Sequence, residues 1–150
     1  MAVKSNTKKV QKQLAKNLAS EKMISKAMIM AVELVRTTAI NSILRGTKTG
    51  RTYVKYNPRR THTASAEGEP PASDTGNLVS GITTRVEKSI SGSIQGQIMA
   101  SANDGQGGNY AKHLEFGTRF MRPRPFLFPA LEKNKKRIIS IFRKHGVRFR

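Results

Sequence analysis

Cysteine and tryptophan are absent from this 150-residue chain, aromatic side chains make up only 6% of it, and only nine residues are acidic. Without cysteine there can be no disulfide framework, no cysteine-containing zinc site, no thiolate nucleophile and no iron–sulfur ligation. The longest nearly apolar run, residues 28 to 35, is interrupted by Glu33. The N-terminus has no apolar segment followed by a small-residue cleavage site, so the sequence predicts a soluble, unprocessed chain with no membrane partner. With acids so scarce, 28 Lys and Arg leave a formal net charge of +19. Such a self-repelling balance favours an anionic surface or acidic partner over a quiet monomeric enzyme. The length and the 37% apolar content suit a single domain, residues 1 to 150, with one modest core.

The charge is unevenly spread. Residues 1 to 60 carry 14 basic and 2 acidic side chains, residues 61 to 118 carry 3 and 6, and residues 119 to 150 carry 11 and 1. Both basic thirds also hold periodic Leu, Ile, Val and Phe, which marks them as charged faces of ordered elements rather than disordered tails. A basic helical extension at residues 1 to 20 and a basic tail at residues 146 to 150 form the two ends.

No Gly or Pro stands between Lys4 and Arg45, and Gly46 is placed to close a helix in the left-handed conformation. Ile24, Met28, Ala31, Val35, Ala39 and Ser42, widened by Val32 and Ile43, form a core-facing stripe. Val10, Leu14 and Leu18 form a narrower one among lysines, with a candidate break between the two halves near Ser20. Thr52, Val54 and Tyr56 alternate as in a strand that Asn57-Pro58 ends. Residues 57 to 72, with Pro58, Gly68, Pro70 and Pro71, are predicted to be an extended loop, after which Asp74 or Thr75 caps a short helix over 78 to 81. Ile82, Thr84, Val86, Lys88 and Ile90 on one face, then Ile94, Ile98 and Ala100 beyond Ser91-Gly92, read as a β-hairpin. Gly105, Gly107 and Gly108 mark a flexible loop, and Tyr110 to Phe116 fits either a strand or a helical turn. Arg122-Pro123-Arg124-Pro125 is extended. A last helix is expected over 129 to 145, with Leu131, Ile138 and Phe142 facing the core.

Known chemical signatures are missing. His62, His113 and His145 are scattered and only His113 has a carboxylate nearby, Glu115, so no metal site is legible. Gly105-Gln106-Gly107-Gly108 would need Gly where Tyr110 stands to bind a dinucleotide, and Gly46-Thr47-Lys48-Thr49 lacks the Gly-Lys pair of a phosphate loop. Gly92-Ser93-Ile94-Gln95-Gly96 sets its Ser one place early for a nucleophile elbow. The sequence therefore predicts no catalytic set and no cofactor. Glu115, an isolated acid between Leu114 and Phe116, is expected to pair with an Arg of its own or a neighbouring subunit. The charge alone supports sequence-indifferent binding to nucleic-acid phosphates, since Tyr53 and Tyr56 are the only aromatics interleaved with basic residues.

Three ordered stretches carry more information. They are Ala66-Glu67-Gly68-Glu69-Pro70-Pro71-Ala72-Ser73-Asp74-Thr75-Gly76-Asn77-Leu78, Tyr110-Ala111-Lys112-His113-Leu114-Glu115-Phe116-Gly117-Thr118, and Arg124-Pro125-Phe126-Leu127-Phe128-Pro129-Ala130-Leu131-Glu132. Together they resemble the tail-completion, or head–tail joining, proteins of long-tailed bacteriophages, the family named after gene product ten of a lambdoid phage. The similarity covers roughly residues 20 to 142; the basic arm and the Arg-rich end fall outside it.

The resemblance implies a small α+β subunit, with long N-terminal and C-terminal helices packed on a small antiparallel sheet beside a long Pro/Gly loop. It implies a structural virion protein rather than an enzyme. Such a protein assembles as a ring, expected to be a hexamer, in the neck or at the head-proximal end of the tail, beside a connector or stopper, a tail terminator or the tail tube. Glu69, Pro70, Pro71, Asp74, Glu115, Arg122 and Arg124 are the candidate residues for subunit or ring contacts. Lys12, Lys16, Lys133, Lys136 and Arg137 are candidates for contact with packaged double-stranded DNA or with an acidic partner, two roles that the sequence does not separate. The alternative class is a free, sequence-nonspecific DNA-binding protein; a small hydrolase is a third and weaker one.

Overall fold

The computed structural model describes residues 2–103 and 108–147, with side chains from residue 9 onward. Gly105 and Gly107 of the expected flexible loop, and residues 148–150 of the basic tail, lie outside the described residues. The fold is α+β, with eight elements among the described residues.

Helix α1, Ala2–Arg45, is a single 44-residue rod. The expected break near Ser20 does not occur, because no residue there is a helix breaker. Glu21, one residue on, already pairs with Lys88 at 2.6 Å, where the rod meets the rest of the molecule. At its end Gly46 donates its N–H to Ser42 O at 3.0 Å without adopting a positive φ; the left-handed closing glycine is instead Gly146, φ 84°, after the last helix. By length and composition α1 contains a segment apolar enough to cross a membrane. Its packing gives those side chains another use: Ala27, Ala31, Val32, Val35, Ala39 and Ile43 are buried within the protein. The face is turned slightly from the expected one, with Ala27 replacing Ile24 and Ile43 replacing Ser42 as the deepest positions.

Two separate antiparallel hairpins follow. Strands β1, Thr52–Tyr56, and β2, Arg59–Thr63, pair with Val54 opposite Thr61, joined by a turn whose Asn57-Pro58 peptide is cis. β2 corrects the expectation of a loop over residues 57 to 72. Its sequence, RRTHT, contains no apolar residue to set an alternation, so its strand character comes from the backbone ladder and cross-strand pairs such as Thr52 and Thr63, whose hydroxyls lie 3.0 Å apart. The irregular segment is thus shorter, from residue 64 to 76.

The short helix α2, Asn77–Ser80, is capped by neither Asp74 nor Thr75: Gly76 occupies the N-cap with φ 83°, a conformation natural to glycine, and no side chain bonds there. Strands β3, Ile82–Lys88, and β4, Ile94–Ala100, form the second hairpin as expected, with Ile82 opposite Ala100 and Ile90 fully exposed at the tip. Segment 110 to 116, left open by its pattern, is helix α3, Tyr110–Phe116, capped by the Asn109 side chain.

The final helix α4, Leu127–Lys144, runs back along α1, with Asn134 Nδ2 reaching Thr38 Oγ1 at 2.8 Å and Ile141 and Lys144 lying beside Met30 and Glu33. Its core-facing positions are Ala130, Asn134 and Ile138; Leu131, expected inside, is exposed. Alanine at 130 allows the helices to approach closely, and the buried Asn134 satisfies its amide on Thr38 and on Ala130 O.

One hydrophobic cluster holds these pieces: Val35, Ala39 and Ile43 from α1, Leu78, Ile82, Ala102, Ala111, Phe126 and Ala130. Arg36 ties β3 to α1, its Nε donating to Ile82 O at 2.8 Å, and Thr84 donates its hydroxyl to Glu33. Gly81, between α2 and β3, lies against the Ser101 carbonyl, so an added Cβ would overlap that oxygen. Gly81→Ala is therefore expected to lower unfolding stability by about 3 kcal/mol. Gly68→Ala, at φ +75° with open space around it, should cost only about 1 kcal/mol. Urea titrations of both variants check the ordering.

Candidate assembly surface

The run Phe126-Leu127-Phe128-Pro129 that begins α4 offers no Ser, Thr, Asp or Asn as a cap, and Phe126 makes no side-chain cap bond. Amide donors at a helix start need acceptors from elsewhere. Glu115, buried on α3, supplies them: Oε2 accepts from Phe126 N at 2.8 Å and Leu127 N at 3.1 Å, and Oε1 from Phe128 N at 2.8 Å. Pro129 has no N–H, so the first turn is fully satisfied. The expected Arg partner of Glu115 is replaced by three amides and the positive end of the helix dipole, which suit a carboxylate equally well.

The same joint gathers the three stretches that carry the resemblance. Arg124 N donates to Leu114 O at 2.7 Å, and Gly68 N donates to Pro123 O at 3.1 Å. Arg122 pairs with Glu67 at 3.4 Å on the surface. Pro71, Asp74, Tyr110, Leu114 and Arg124 together line a pocket of mixed character and about 290 Å³. Arg124 is half-buried there, with Nη1 3.4 Å from Met121 Sδ and its buried Nε without a hydrogen-bond partner among the described residues. Burial in this joint pushes the Tyr110 phenol above its ordinary pKa.

Two of the loop carboxylates, Glu69 and Asp74, already have partners within the chain. Glu69 accepts from Thr49 Oγ1 at 2.7 Å, Thr49 N at 2.9 Å and Ala66 N at 2.9 Å. The Thr49 hydroxyl foremost, then the two amides and the nearby Lys48, hold its carboxyl below the usual range. Lys48 donates to Pro70 O at 2.8 Å, and burial lowers its pKa more than Glu69 raises it. Asp74 accepts from Lys55 and, at 2.6 Å, from Arg60 Nη2, with His62 Nδ1 3.9 Å away; the Lys55 hydrogen bond chiefly lowers its pKa, aided by the positive charge of Arg60. Pro71 is buried. Glu69, Pro70, Pro71 and Asp74 thus fasten the β1–β2 hairpin and the loop to the body. Of the seven expected contact residues, Arg122 is the one left on the outer surface. Lys55, Arg60 and Asn134 were not singled out by the sequence; an Asp facing basic residues across 14 to 19 positions leaves no local pattern.

The candidate cations are all outward. Lys12 and Lys16 lie in a stretch of α1, residues 9 to 20, where every side chain is exposed, and Lys133, Lys136 and Arg137 are exposed on α4. Between α1, β4, α3 and α4 lies an open apolar groove of about 1000 Å³, walled by Met28, Val32, Ile98, Phe128, Leu131 and Phe142 among others. The groove leaves apolar side chains open to solvent, Phe128 and Leu131 among them. Among the described residues no three His, Asp or Glu side chains gather closely enough to hold a metal ion. Comparison with family models, with curated proteins and with solved structures finds no match to this chain.

Replacing Glu115 with Ala strands three amides at the start of α4, and a loss of about 3 kcal/mol is expected in urea unfolding, with Glu115→Gln intermediate. The depressed Glu69 and Asp74 carboxyls contribute stability that is complete above their ordinary pKa values and is lost as pH falls through their folded ones. Acidification below about pH 4 should therefore reduce amide-exchange protection over residues 49 to 63. Asp74→Asn should reproduce that local loosening at neutral pH.

Proposed function

We propose that this chain is a structural subunit of a tailed-bacteriophage virion. Copies form a ring, of six by analogy, in the neck or at the head-proximal end of the tail, and the ring is needed for tail completion or head–tail joining. The observation that carries this reading is that the three stretches resembling the tail-completion family are one physical unit. The Gly68 loop, α3 and the start of α4 meet through Glu115, Leu114 and Pro123. Motifs that were merely adjacent in a list would have no reason to share a joint; motifs that define one fold do.

Two further properties support a subunit over a free protein. Large apolar side chains stay exposed, including Phe116, Phe120 and Phe128. The described acids are already engaged inside the chain, leaving cations such as Lys133, Lys136 and Arg137 turned outward toward whatever anionic surface the particle provides. That surface is the packaged duplex in the channel or the acidic face of a connector, terminator or tube ring. The role is mechanical and positional; no residue is assigned a catalytic part.

The alternative, sequence-indifferent duplex binding by the free protein, draws on the same exposed lysines of α1 and α4. The two readings separate cleanly. Deleting the gene from a phage that encodes this chain should leave filled heads and unjoined or abnormally ended tails, and fully infectious progeny would contradict the virion reading. A free DNA-binding protein instead predicts tight duplex association by the isolated chain that falls steeply with salt, by about 10³-fold or more between 50 and 200 mM.

A further inference from the structure

The N-terminal part of α1 carries an exposed apolar stripe. Val10, Leu14 and Leu18 are 53%, 65% and 54% exposed, and no side chain of residues 9 to 20 is buried. The same chain carries the open apolar groove between α1, β4, α3 and α4. We propose that the stripe of one copy seats in the groove of the next, so that each subunit is clasped by its neighbour's helical arm. The proposal deepens the ring reading and rests on it for the closure of successive contacts into a ring.

Three considerations select a second copy as the occupant. First, the arm cannot fill its own groove. Met28 and Val32, which wall the groove, belong to the same unbroken helix, and Leu14 lies about 21 Å further along its axis than Met28 at 1.5 Å per residue. Reaching back would require breaking a helix that contains no Gly or Pro. Second, the dimensions agree. Twelve residues of helix measure about 18 Å by 10 Å, and sinking them to half their depth displaces on the order of 700 Å³. The groove offers about 1000 Å³.

Third, the charges agree. At about 100° per residue, Lys9, Lys12 and Lys16 fall on the face opposite Val10, Leu14 and Leu18. Seating the stripe buries no lysine and leaves all three turned away from the groove. Because ridge and groove are different patches, the contact is heterologous, the kind that closes into rings when its rotation permits.

The absence of cysteine provides a clean background for a test. One preparation carries Leu14→Cys in the arm and another carries Leu131→Cys in the groove wall. The two are mixed and treated with a short bismaleimide cross-linker, and the products are read by mass spectrometry. The expected result is a cross-link between the two chains. In a separate measurement, a chain carrying Leu14→Gln and Leu18→Gln is scored for self-association by native mass spectrometry. That double variant keeps helix-forming residues at exposed positions, so it should fold normally by circular dichroism. Its self-association should weaken by about 100-fold.

Cross-linking of Leu14→Cys to itself would mean that arms pair with arms and would overturn the proposal. So would a within-chain link in a doubly substituted monomer, or unchanged assembly of the glutamine variant. A phage that needs the protein for head–tail joining but whose subunits give no arm-to-groove link would sink this contact and leave the virion reading standing. The link in a protein that proves dispensable for the particle would do the reverse.

Discussion

Everything in this fold is hung on one face of α1. Val35, Ala39 and Ile43 present a shallow, alanine-interrupted ridge that meets the β3–β4 hairpin through Ile82 and α4 through Ala130. Small side chains on both sides permit the backbones to come close, and close approach makes shape matter more than bulk. Two polar contacts fix the register that the apolar ridge leaves loose. Arg36 holds Ile82 O on one side and Asn134 holds Thr38 on the other. α3 is then positioned by the core through Ala111 and positions α4 in turn through Glu115, so the carboxylate is the last link in a chain of placement that starts on the first helix.

Much of this frame was legible. Elements whose stability comes from apolar periodicity, such as α1, the β3–β4 hairpin and α4, declare themselves, because the same spacing that buries a face also marks the sequence. The strand β2 was not legible, since RRTHT buries nothing and is ordered by its partner strand and by Asp74. Leu131 was assigned to the core on type alone, whereas Asn134 took the buried place because an amide between Thr38 and Ala130 O is better satisfied there than in a less polar setting. For the candidate site, the sequence flagged Glu69, Asp74 and Glu115 as acids worth attention, and their partners lie 3 to 20 residues away in directions that only the folded chain defines.

The distribution of charge follows from those partners. Glu21, Glu33, Glu67, Glu69, Asp74, Glu87, Glu115 and Glu132 each meet a cation or an amide within the chain. Surface pairs of this kind add little stability individually. Their collective effect is compositional: the few acids are matched locally, and the excess of Lys and Arg is left without acidic partners in the chain. Complementarity with an anionic surface raises encounter rates and orients the approach before any close contact forms.

The unbroken character of α1 has a geometric corollary. Some 19 residues of rod stand beyond Glu21, an overhang of about 28 Å. A tilt of about 10° at Glu21, where the overhang begins, would carry the tip sideways by about 5 Å, close to one helical pitch. The bed beneath α1 therefore works as the fulcrum of a lever, and an error of packing too small to unfold the protein is magnified into a misplacement at the far end.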